Sequence, residues 1–332
     1  MHNKEIITNI VVSKSINPWF NLALEEKLVK EAKANEIILY LWQNADTVVI
    51  GKNQNPWKEC KCRELEEDGG KLARRLSGGG AVFHDIGNLN FTFAMDKGLY
   101  NLENQLQVIL KAVKNLGINA EFSGRNDILA DGRKFSGNAF YFGDHTCYHH
   151  GTLLVNGDMK RLVQYLTVSE KKIKSKGIDS VKSRIVNLKE INDKISIEKL
   201  MEQLEKSFQE AYGRVQGKKI YTEKNSNEMQ QLYEKYSSWE FRYGSSPKFD
   251  ICLEERFPWG GIEFNLKLKN AKVLEAKVYS DAMNVKFIED IQNSLIEIPF
   301  KQQDIKEKLM SLANTEEQRG MVQDVLSIFK DI

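Results

Sequence analysis

Arginine and glycine residues make the stretch 74–88 the densest candidate site in the sequence. Arg74 and Arg75 precede Ser77 and three consecutive glycines, Gly78–Gly80. Consecutive glycines lose much entropy on ordering, and they are typical of a backbone that bends sharply or lies against a ligand. Arginine adds a planar fork of donors that suits a carboxylate or a phosphate. The alternative is a solvated turn beside surface arginines, but the apolar residues that follow favour a ligand-binding loop.

Known nucleotide-binding and nucleophile motifs do not describe this stretch. The chain contains no G-x-x-x-x-G-K-[ST] sequence, and Gly78–Gly80 does not fit G-x-G-x-x-G. Ser77 lacks the glycine two residues earlier that a nucleophile elbow requires. The pattern therefore disfavours a P-loop, a dinucleotide fold and a serine hydrolase.

A second candidate centre is Lys134, which lies in a β-rich segment among glycines and small polar side chains. A partly buried lysine needs an anionic partner, whereas a surface lysine that extends into solvent needs none. Paired histidines follow at His149 and His150. Neighbours on a strand point to opposite faces, so we expect one histidine to line a pocket and do not expect the two to share a metal.

Cysteines and basic residues carry two further signals. The four cysteines are too few and too scattered for a disulfide framework, and Cys60-x-Cys62 has no second pair that would complete a metal site. Residues 160–184 contain eight Lys or Arg and two acidic residues, a local net charge of +6. This segment is either a solvated face or a loop that closes on a polyphosphate. Nucleic-acid binding is disfavoured because only Tyr165 supplies an aromatic ring there.

Bulk composition is that of an ordinary soluble globular protein. The chain has 332 residues, 41% hydrophobic and 28% charged, with a formal net charge of +2. This length predicts two domains, and the balanced charge excludes a general polyanion binder. We find no apolar run long enough to span a bilayer and no apolar signal core at the start, so we expect no membrane partner and a cytoplasmic location.

Hydrophobic periodicity predicts the elements that must position these residues. A strand is expected at 6–12, then a helix capped by Asn17 and running to about Ala34. The runs 37–42 and 47–50 are spaced like a hairpin, and alternation around Leu89, Phe91 and Phe93 indicates a half-buried strand. Further helices are expected at 103–116, 197–212, 301–312 and 315–330, a domain boundary at 244–248, and a hairpin of 262–268 with 273–279 turning at Asn270. Strands that follow one another directly predict an α/β (α+β) fold with mixed or antiparallel sheets flanked by helices, and a small C-terminal α+β domain.

Several of these motifs, in order, resemble lipoate–protein ligase A. They are Pro18-Trp19-Phe20-Asn21-Leu22-Ala23, Leu41-Trp42 through Gly51, Arg74 through Asn88, Gly124-Arg125-Asn126-Asp127, Arg133 through Ala139, His149 through Leu154, and Lys176-Gly177-Ile178 through Leu188. The likeness covers most of residues 10–245 and continues more loosely through Arg256-Phe257 and Trp259-Gly260-Gly261.

The resemblance implies a two-step ligase. Lipoate's carboxylate attacks the α-phosphate of ATP, with Mg²⁺, to give lipoyl-AMP and pyrophosphate. A lysine of a lipoyl domain then takes the lipoyl group and AMP leaves. The implied acceptors are the E2 subunits of 2-oxoacid dehydrogenases and the glycine-cleavage H protein. The implied domains are a biotin/lipoate-ligase-like catalytic domain at 1–246 and an accessory domain at 250–332.

The resemblance also implies residue roles. Lys134 matches the active-site lysine, which would hold the lipoyl carbonyl and the α-phosphate without becoming a covalent nucleophile. The lipoate-binding positions would be Trp42, Arg75, Ser77, Gly78, Gly79, Gly80, His84 and His150. The ATP or adenylate positions would be Arg75, Gly80, Val82, Phe83, Asn88, Asn126, Lys134, Thr152, Lys172 and Arg184. Asp127 is the candidate magnesium ligand.

Three alternatives to the ligase stay open at this point. An octanoyl or lipoyl transferase of the same fold would need no ATP, and the accessory domain disfavours it. A biotin ligase would bind biotin in the same pocket. A non-catalytic lipoate- or RNA-binding module would use the basic segment and would not need Lys134. We expect Cys147, just before the two histidines, to be structural.

Overall fold

Residues 6–243 contain a large sheet, a smaller sheet and the helices that flank them. The computed structural model describes residues 6–123, 126–167, 184–243, 251–269 and 271–330. In chain order the strands of this first part are β1 (Ile7–Ser13), β2 (Glu36–Trp42), β3 (Thr47–Ile50), β4 (Lys71–Arg74), β5 (Val82–His84), β6 (Asn88–Asp96), β7 (Ala120–Ser123), β8 (Asp127–Ala130), β9 (Arg133–Phe142), β10 (Thr146–Leu154) and β11 (Gly217–Tyr221).

The large sheet has eight strands in the order β11-β1-β2-β6-β10-β9-β8-β7. β1 pairs in parallel with β11 and β2, and the remaining neighbours pair antiparallel. The small sheet has the order β4-β3-β5, in which β3 is parallel to β4 and antiparallel to β5. This mixed topology confirms the fold class that the sequence predicted.

Helices cover both faces of the large sheet. They are α1 (Pro18–Glu31), α2 (Pro56–Glu59), α3 (Cys62–Glu67), α4 (Leu102–Asn115), α5 (Met159–Tyr165), α6 (Leu188–Ile191), α7 (Ile197–Tyr212), α8 (Gln230–Ser237) and α9 (Trp239–Arg242), with 3-10 turns at Lys97–Leu99 and Glu223–Met229. The side chain of Asn17 accepts a hydrogen bond from the Trp19 amide and Pro18 opens α1, as expected. Among the described residues, no helix has the length and apolar character needed to cross a membrane.

Alternation along the strands produces two cores. On β2, Ile37, Leu39 and Leu41 pack with α4 and α7 on one face of the sheet. Ile38, Tyr40 and Trp42 lie on the other face, against α1 and the small sheet. The second core is the one that borders the candidate site, because it fills the space between the two sheets.

Two local predictions were wrong, because tertiary contacts override the local pattern. Strands 37–42 and 47–50 do not form a hairpin, since β2 lies in the large sheet and β3 in the small one. Both strands are buried along their whole length, and the neighbours that pair with them come from other segments, β1 and β6 for β2 and β4 and β5 for β3. The strand around Phe91 is not half-buried either, because Asn90 and Thr92 are buried as well and Thr92 donates a hydrogen bond to Glu25 of α1.

Residues 251–330 form a separate α+β unit with its own core. Strands β12 (Ile251–Phe257), β13 (Gly260–Lys269) and β14 (Lys272–Ser280) make an antiparallel sheet, followed by α10 (Val285–Ser294), α11 (Gln302–Met310) and α12 (Glu316–Ile328). The hairpin and the last two helices confirm the prediction, whereas β12 and α10 were not anticipated. The expected turn residue Asn270 and the expected boundary at 244–248 lie outside the described residues.

The two units meet beside the glycine-rich stretch. The Ser280 amide donates to the Asn53 carbonyl at 2.6 Å, and Lys52 pairs with Glu289 at 3.2 Å. A Cβ atom on Gly78 would lie 2.4 Å from the Ala282 carbonyl oxygen. Gly78 is therefore required for the packing of the second unit on the loop.

Arg74 is a buried crosslink between three segments of the first part. Its guanidinium donates to five backbone carbonyls, those of Gly51, Lys52, Gln54, Phe241 and Arg242, at 2.7–3.3 Å. Burial lowers the pKa of Arg74 to about 10, so the group stays protonated at neutral pH. Its guanidinium therefore ties the segments 51–54 and 241–242 to β4.

Replacing Arg74 by Leu should therefore lower the free energy of unfolding by roughly 3 kcal/mol or more, because several carbonyls lose their donor at once. Urea unfolding monitored by circular dichroism measures the change. Arg63→Leu is the matched control, since the Arg63 side chain is 89% exposed and should stay within about 0.5 kcal/mol of the wild type. Equal midpoints for the two variants would contradict the crosslink.

Candidate active site

A cavity of about 180 Å³ lies between the large and small sheets. Its walls contain most of the residues that the sequence singled out, namely Trp42, Arg75, Gly79, Gly80, Val82, His84, Asn126, Lys134, His150 and Thr152. The remaining walls come from Leu22, Val49, Ala81, Asn90, Gly137, Asn138, Ala139 and Gly151. Motifs that are far apart in the chain thus meet at one site.

Strand register gives the cavity an apolar end and a cationic end. Trp42 is paired with Asn90, and Asn90 with Thr152, on three neighbouring strands. The Thr152 hydroxyl in turn accepts the Gly137 amide on the next strand at 3.2 Å. Three strand spacings amount to about 14 Å, so the aromatic ring and the Lys134 region stand at opposite ends.

An irregularity in β9 brings Lys134 to the cavity. Pairing between β8 and β9 shifts register at Ile128/Leu129, which leaves Phe135 without a partner. Strict alternation would place Lys134 and Gly137 on opposite faces, whereas the bulge places both on the cavity side. A Cβ atom on Gly137 would lie 2.9 Å from Lys134 Nζ. A larger residue at 137 would therefore occupy the space of the ammonium group.

Lys134 has the anionic partner that the sequence analysis required. Its Nζ lies 2.8 Å from Asp127 Oδ1, and the side chain is 34% exposed. Its backbone is held by the segment 184–186, through the Arg184 carbonyl at 2.7 Å and the Val186 amide at 2.9 Å. The Arg184 Nε is buried without a hydrogen-bond partner among the described residues. Lys134 thus supplies the ammonium group at this end, and Arg184 lies beside it through its backbone.

Arg75 organises the glycine loop around itself. Its guanidinium donates to the carbonyls of Gly78, Gly80 and Val49, and its Nε also lies 3.0 Å from Ser77 Oγ. Burial lowers the pKa of Arg75 to about 10. Gly79 has a φ of +87°, in the left-handed region that favours glycine. The loop is therefore a preformed wall in which the arginine binds backbone carbonyls.

A directed hydrogen-bond chain runs under this wall. Ser77 Oγ lies 2.7 Å from His150 Nε2, and His150 Nδ1 lies 2.8 Å from Glu25 Oε1. Arg75 can only donate to Ser77 Oγ, and the Glu25 carboxylate can only accept from His150 Nδ1. We therefore assign the His150 proton to Nδ1 and the Ser77 hydroxyl as the donor to Nε2. From the other side, Trp42 Nε1 donates to Thr92 Oγ1 at 3.1 Å, and Thr92 donates to the same Glu25 oxygen at 2.7 Å.

Glu25 was missed from the sequence, although one signal was present. Glu25 stands three residues after Leu22 and therefore lies on the buried stripe of α1. Its side chain is 2% exposed. Charged residues are seldom buried unless they are paired. Asn44 and Gly51 were also not singled out as site residues. Asn44 bonds to His84, and a Cβ atom on Gly51 would lie 2.1 Å from the Gly79 carbonyl oxygen.

His84 presents a free N–H to the cavity. Asn44 Nδ2 lies 3.2 Å from His84 Nδ1, and Asn44 Oδ1 accepts from Asn21, so we assign Nδ1 as acceptor and the proton to Nε2. Among the described residues, His84 Nε2 and Asn90 Nδ2 are buried without a partner. Buried polar atoms of a cavity wall without partners indicate that a polar ligand completes them.

The other residues singled out surround the cavity without lining it. Ser77 supports His150, Gly78 faces Ala282, and Asp127 holds Lys134. The Phe83 side chain packs away from the cavity, 5.6 Å from the Tyr165 ring centroid. Asn88 is buried and donates to Asn90 at 2.9 Å. Lys172 lies outside the described residues, as do Gly124 and Arg125.

The two adjacent histidines face opposite sides, as expected. His149 bonds to Gln105 and Asn138 in the first core, whereas His150 lines the cavity. Among the described residues, no group of three His, Cys, Asp or Glu side chains is arranged to hold a metal ion.

Family models match both parts of the chain. The lipoyl protein ligase A/B catalytic domain matches residues 17–209, and the bacterial lipoate protein ligase C-terminus matches residues 246–327. The chain belongs to the lipoyl protein ligase A/B family. The second match covers the small α+β unit, so both units of the fold are accounted for by the family.

Solved structures of lipoate ligases are similar to this chain. LipL1 of P. falciparum, in complex with lipoate, is 32% identical over 96% of this chain and 98% of its own, with a TM-score of 0.84. A bi-partite ligase from Thermoplasma acidophilum, described with its E2 lipoyl domain, is 24% identical over 75% of this chain and 100% of its own, with a TM-score of 0.64. A lipoate-protein ligase A bound with ATP is 24% identical over 73% and 99%, with a TM-score of 0.62. The last two show likeness of fold.

Replacing Glu25 by Gln should lower the free energy of unfolding by about 1–3 kcal/mol, because two buried donors exchange a charged acceptor for a neutral one. Glu31→Gln on the same helix is the control, since Glu31 forms an exposed pair with Lys27 that should contribute less than about 0.5 kcal/mol. Urea unfolding of both variants makes the comparison. If Glu25→Gln were as stable as Glu31→Gln, the hydrogen bonds from His150 and Thr92 would not depend on the negative charge of Glu25.

Acidification should destabilise this protein, because two of its histidines are buried in the neutral form. Burial lowers the pKa of both His84 and His149 to about 3, with the charge of Arg75 adding to the effect at His84. The unfolded chain binds these protons near pH 6.5, so stability is full above that pH and falls below it. From pH 7.0 to 5.5 we expect a loss of about 2.5 kcal/mol, measured by urea unfolding. His84→Asn should remove about half of this dependence, and a flat profile in the wild type would contradict the assignment.

Proposed function

We propose that this protein is an ATP-dependent lipoate–protein ligase that forms lipoyl-AMP and transfers the lipoyl group to a lysine of lipoyl domains. The acceptors we propose are E2 subunits of 2-oxoacid dehydrogenases and the glycine-cleavage H protein. The observation that carries the proposal is the cavity itself, with an apolar end at Trp42 and an ammonium group at Lys134. The lipoate bound to LipL1 and the ATP bound to lipoate-protein ligase A support it.

The apolar end suits the hydrocarbon tail and the dithiolane ring of lipoate. Leu22, Trp42 and Val49 line it, and the hydrogen-bond chain from Trp42 to Arg75 fixes its shape. A pocket whose side chains are already hydrogen-bonded loses little entropy when an acyl chain binds. The free N–H of His84 offers a polar contact within this wall.

Lys134 would perform the electrostatic part of both half-reactions. In the first, a carboxylate oxygen attacks the α-phosphorus and pyrophosphate leaves. The ammonium group, released from Asp127 by the substrate carboxylate, would stabilise the charge that develops on both oxygens. In the second, the acceptor lysine attacks the lipoyl carbonyl, and AMP leaves while Lys134 holds its phosphate. Arg184, the basic segment with Lys172, and the backbone of Val82 and Phe83 with Asn88, Asn126 and Thr152 are the proposed adenylate-binding set.

Asp127 is a carboxylate placed where a magnesium ion bound to the triphosphate would lie. Mg²⁺ in nucleotide-dependent enzymes is commonly held by one or two carboxylates together with substrate phosphates and water. Asp127 is a carboxylate at the cationic end, and one of its oxygens is engaged by Lys134. We propose Asp127 as the protein ligand of Mg²⁺, which when bound neutralises charge on the triphosphate.

A transferase of the same fold is the second candidate function, and the positions of the cysteines bear on it. Transfer from a thioester without ATP commonly proceeds through a cysteine nucleophile. All four cysteines are described and none lines the cavity. Cys147 is buried in the first core, and burial raises the pKa of its thiol to about 11. These observations favour the ligase.

Two further assignments belong to this proposal. We place the domain division between residues 246 and 250, so that 1–246 is catalytic and 250–332 is accessory. We also place the protein in the cytoplasm, where a buried thiol such as that of Cys147 stays reduced.

Lys134→Ala should abolish lipoate-dependent release of pyrophosphate from ATP, with a loss of roughly 10² to 10³ in rate or more, because the cavity loses its ammonium group. The fold should survive, since the change removes a partly exposed charge. Lys306→Ala, on an exposed face of the accessory unit, is the control. Undiminished pyrophosphate release by Lys134→Ala would contradict the proposed role. Wild-type protein that releases no pyrophosphate but transfers an acyl group from a carrier thioester would instead identify the transferase.

A further inference from the structure

Two buried polar side chains stand at the otherwise apolar end of the cavity. His84 is 3% exposed and Asn90 is 1% exposed, and both residues line the cavity wall. The ring centroids of His84 and Trp42 lie 6.2 Å apart in an edge-to-face arrangement, and Asn90 is paired with Trp42 on the neighbouring strand. Both polar groups therefore belong to the Trp42 end of the cavity and not to the end that holds Lys134.

A chain of amides fixes which nitrogen of His84 carries the proton. Asn21 Nδ2 donates to the carbonyls of Ser15 and Gln43, which orients that side chain, and it also donates to Asn44 Oδ1. Asn44 therefore presents its amide nitrogen to His84 Nδ1, and the ring proton is on Nε2. This Nε2–H group has no hydrogen-bond partner among the described residues. Burial lowers the pKa of His84 to about 3, so the ring is a neutral donor at pH 7.

The acyl substrate of the proposed function offers this donor a partner. A carboxylate bound beside the ammonium group of Lys134 leaves the far end of the acyl chain to reach Trp42 and His84. In lipoate that end is a ring with two adjacent sulfur atoms, and sulfur is a weak hydrogen-bond acceptor. In octanoate it is a methyl group, which accepts no hydrogen bond. A buried donor that faces a methyl group gains no partner in exchange for its water, so the two acids differ in what they offer His84.

We propose that the Nε2–H group of His84 donates to a dithiolane sulfur and thereby selects lipoate over acids of the same shape that lack sulfur. The inference rests on the proposed function, because that function brings the dithiolane ring to this end of the cavity. Asn90 Nδ2, which also has no partner among the described residues, offers the ring a second donor. Apolar walls alone discriminate poorly between acyl chains, whereas a donor built for one substrate is left unpaired by an analogue that lacks the acceptor.

Calorimetric titration of the full-length protein with two acids of the same shape tests the proposal. One acid is lipoate, and the other is cyclopentyl-pentanoate, in which methylene groups replace both ring sulfurs. His84→Phe keeps an aromatic ring and removes the donor, so the Kd ratio that favours lipoate should fall about fivefold or more. His145→Phe is the control, since His145 is exposed and does not line the cavity, and it should keep the wild-type ratio. The same ratio in the wild type and in His84→Phe overturns the proposal.

A second titration uses the wild type alone, because His84→Phe also removes the acceptor of Asn44. Its ligand is oxolanyl-pentanoate, whose ring carries one ether oxygen and is more polar than a cyclopentyl ring. With a free donor at His84 it should bind at least as tightly as cyclopentyl-pentanoate, and weaker binding overturns the proposal. Lipoate-dependent release of pyrophosphate from ATP is measured on the same samples. Its absence would contradict the proposed function while the Kd ratios still decide the role of His84, and a wild type that binds neither lipoate nor its analogues overturns both.

Discussion

A buried carboxylate that collects two chains of donors holds the site together. Glu25 Oε1 accepts from His150 and from Thr92, and these two residues are in turn bonded to Ser77 and to Trp42. Because arginine and tryptophan can only donate, the direction of every hydrogen bond between them is fixed. A single charge on α1 thereby sets the tautomer of a cavity histidine, the position of an aromatic wall and the conformation of the glycine loop.

The site divides its work between a rigid end and a responsive end. Around Glu25 the groups are buried and satisfied, so the wall should keep one shape whether or not a ligand is present. Lys134 and Asp127 instead form a partly exposed ion pair, each about one-third accessible, whose partners can exchange. A preformed apolar wall with an exchangeable ammonium group suits binding a carboxylic acid and then activating it.

The sequence predicted what depends on local pattern. Helix 197–212 was predicted with its observed ends, because an amphipathic stripe and polar caps define it. The opposite facing of His149 and His150 followed from strand alternation alone. The resemblance placed Trp42, Lys134 and Thr152 at one site, and all three line the cavity.

What depends on tertiary contacts was not predictable. The separation of β2 from β3 is decided by neighbours that come from distant segments. The bulge at Phe135 leaves no mark in the sequence, although it turns Lys134 toward the cavity. Arg74 and Arg75 were expected to bind an anion, yet both donate to backbone carbonyls: Arg75 to those of Gly78 and Gly80 in the glycine loop, and Arg74 to those of distant segments such as Gln54 and Phe241. Glu25 looked like one polar residue on a helix until His150 and Thr92 were placed against it.

Mass spectrometry of a lipoyl domain incubated with the protein, ATP, Mg²⁺ and lipoate tests the central claim most directly. The account predicts a mass gain of one lipoyl group on one lysine, and no gain when ATP is omitted. Modification that proceeds equally without ATP, or no modification of any lipoyl domain, would contradict it.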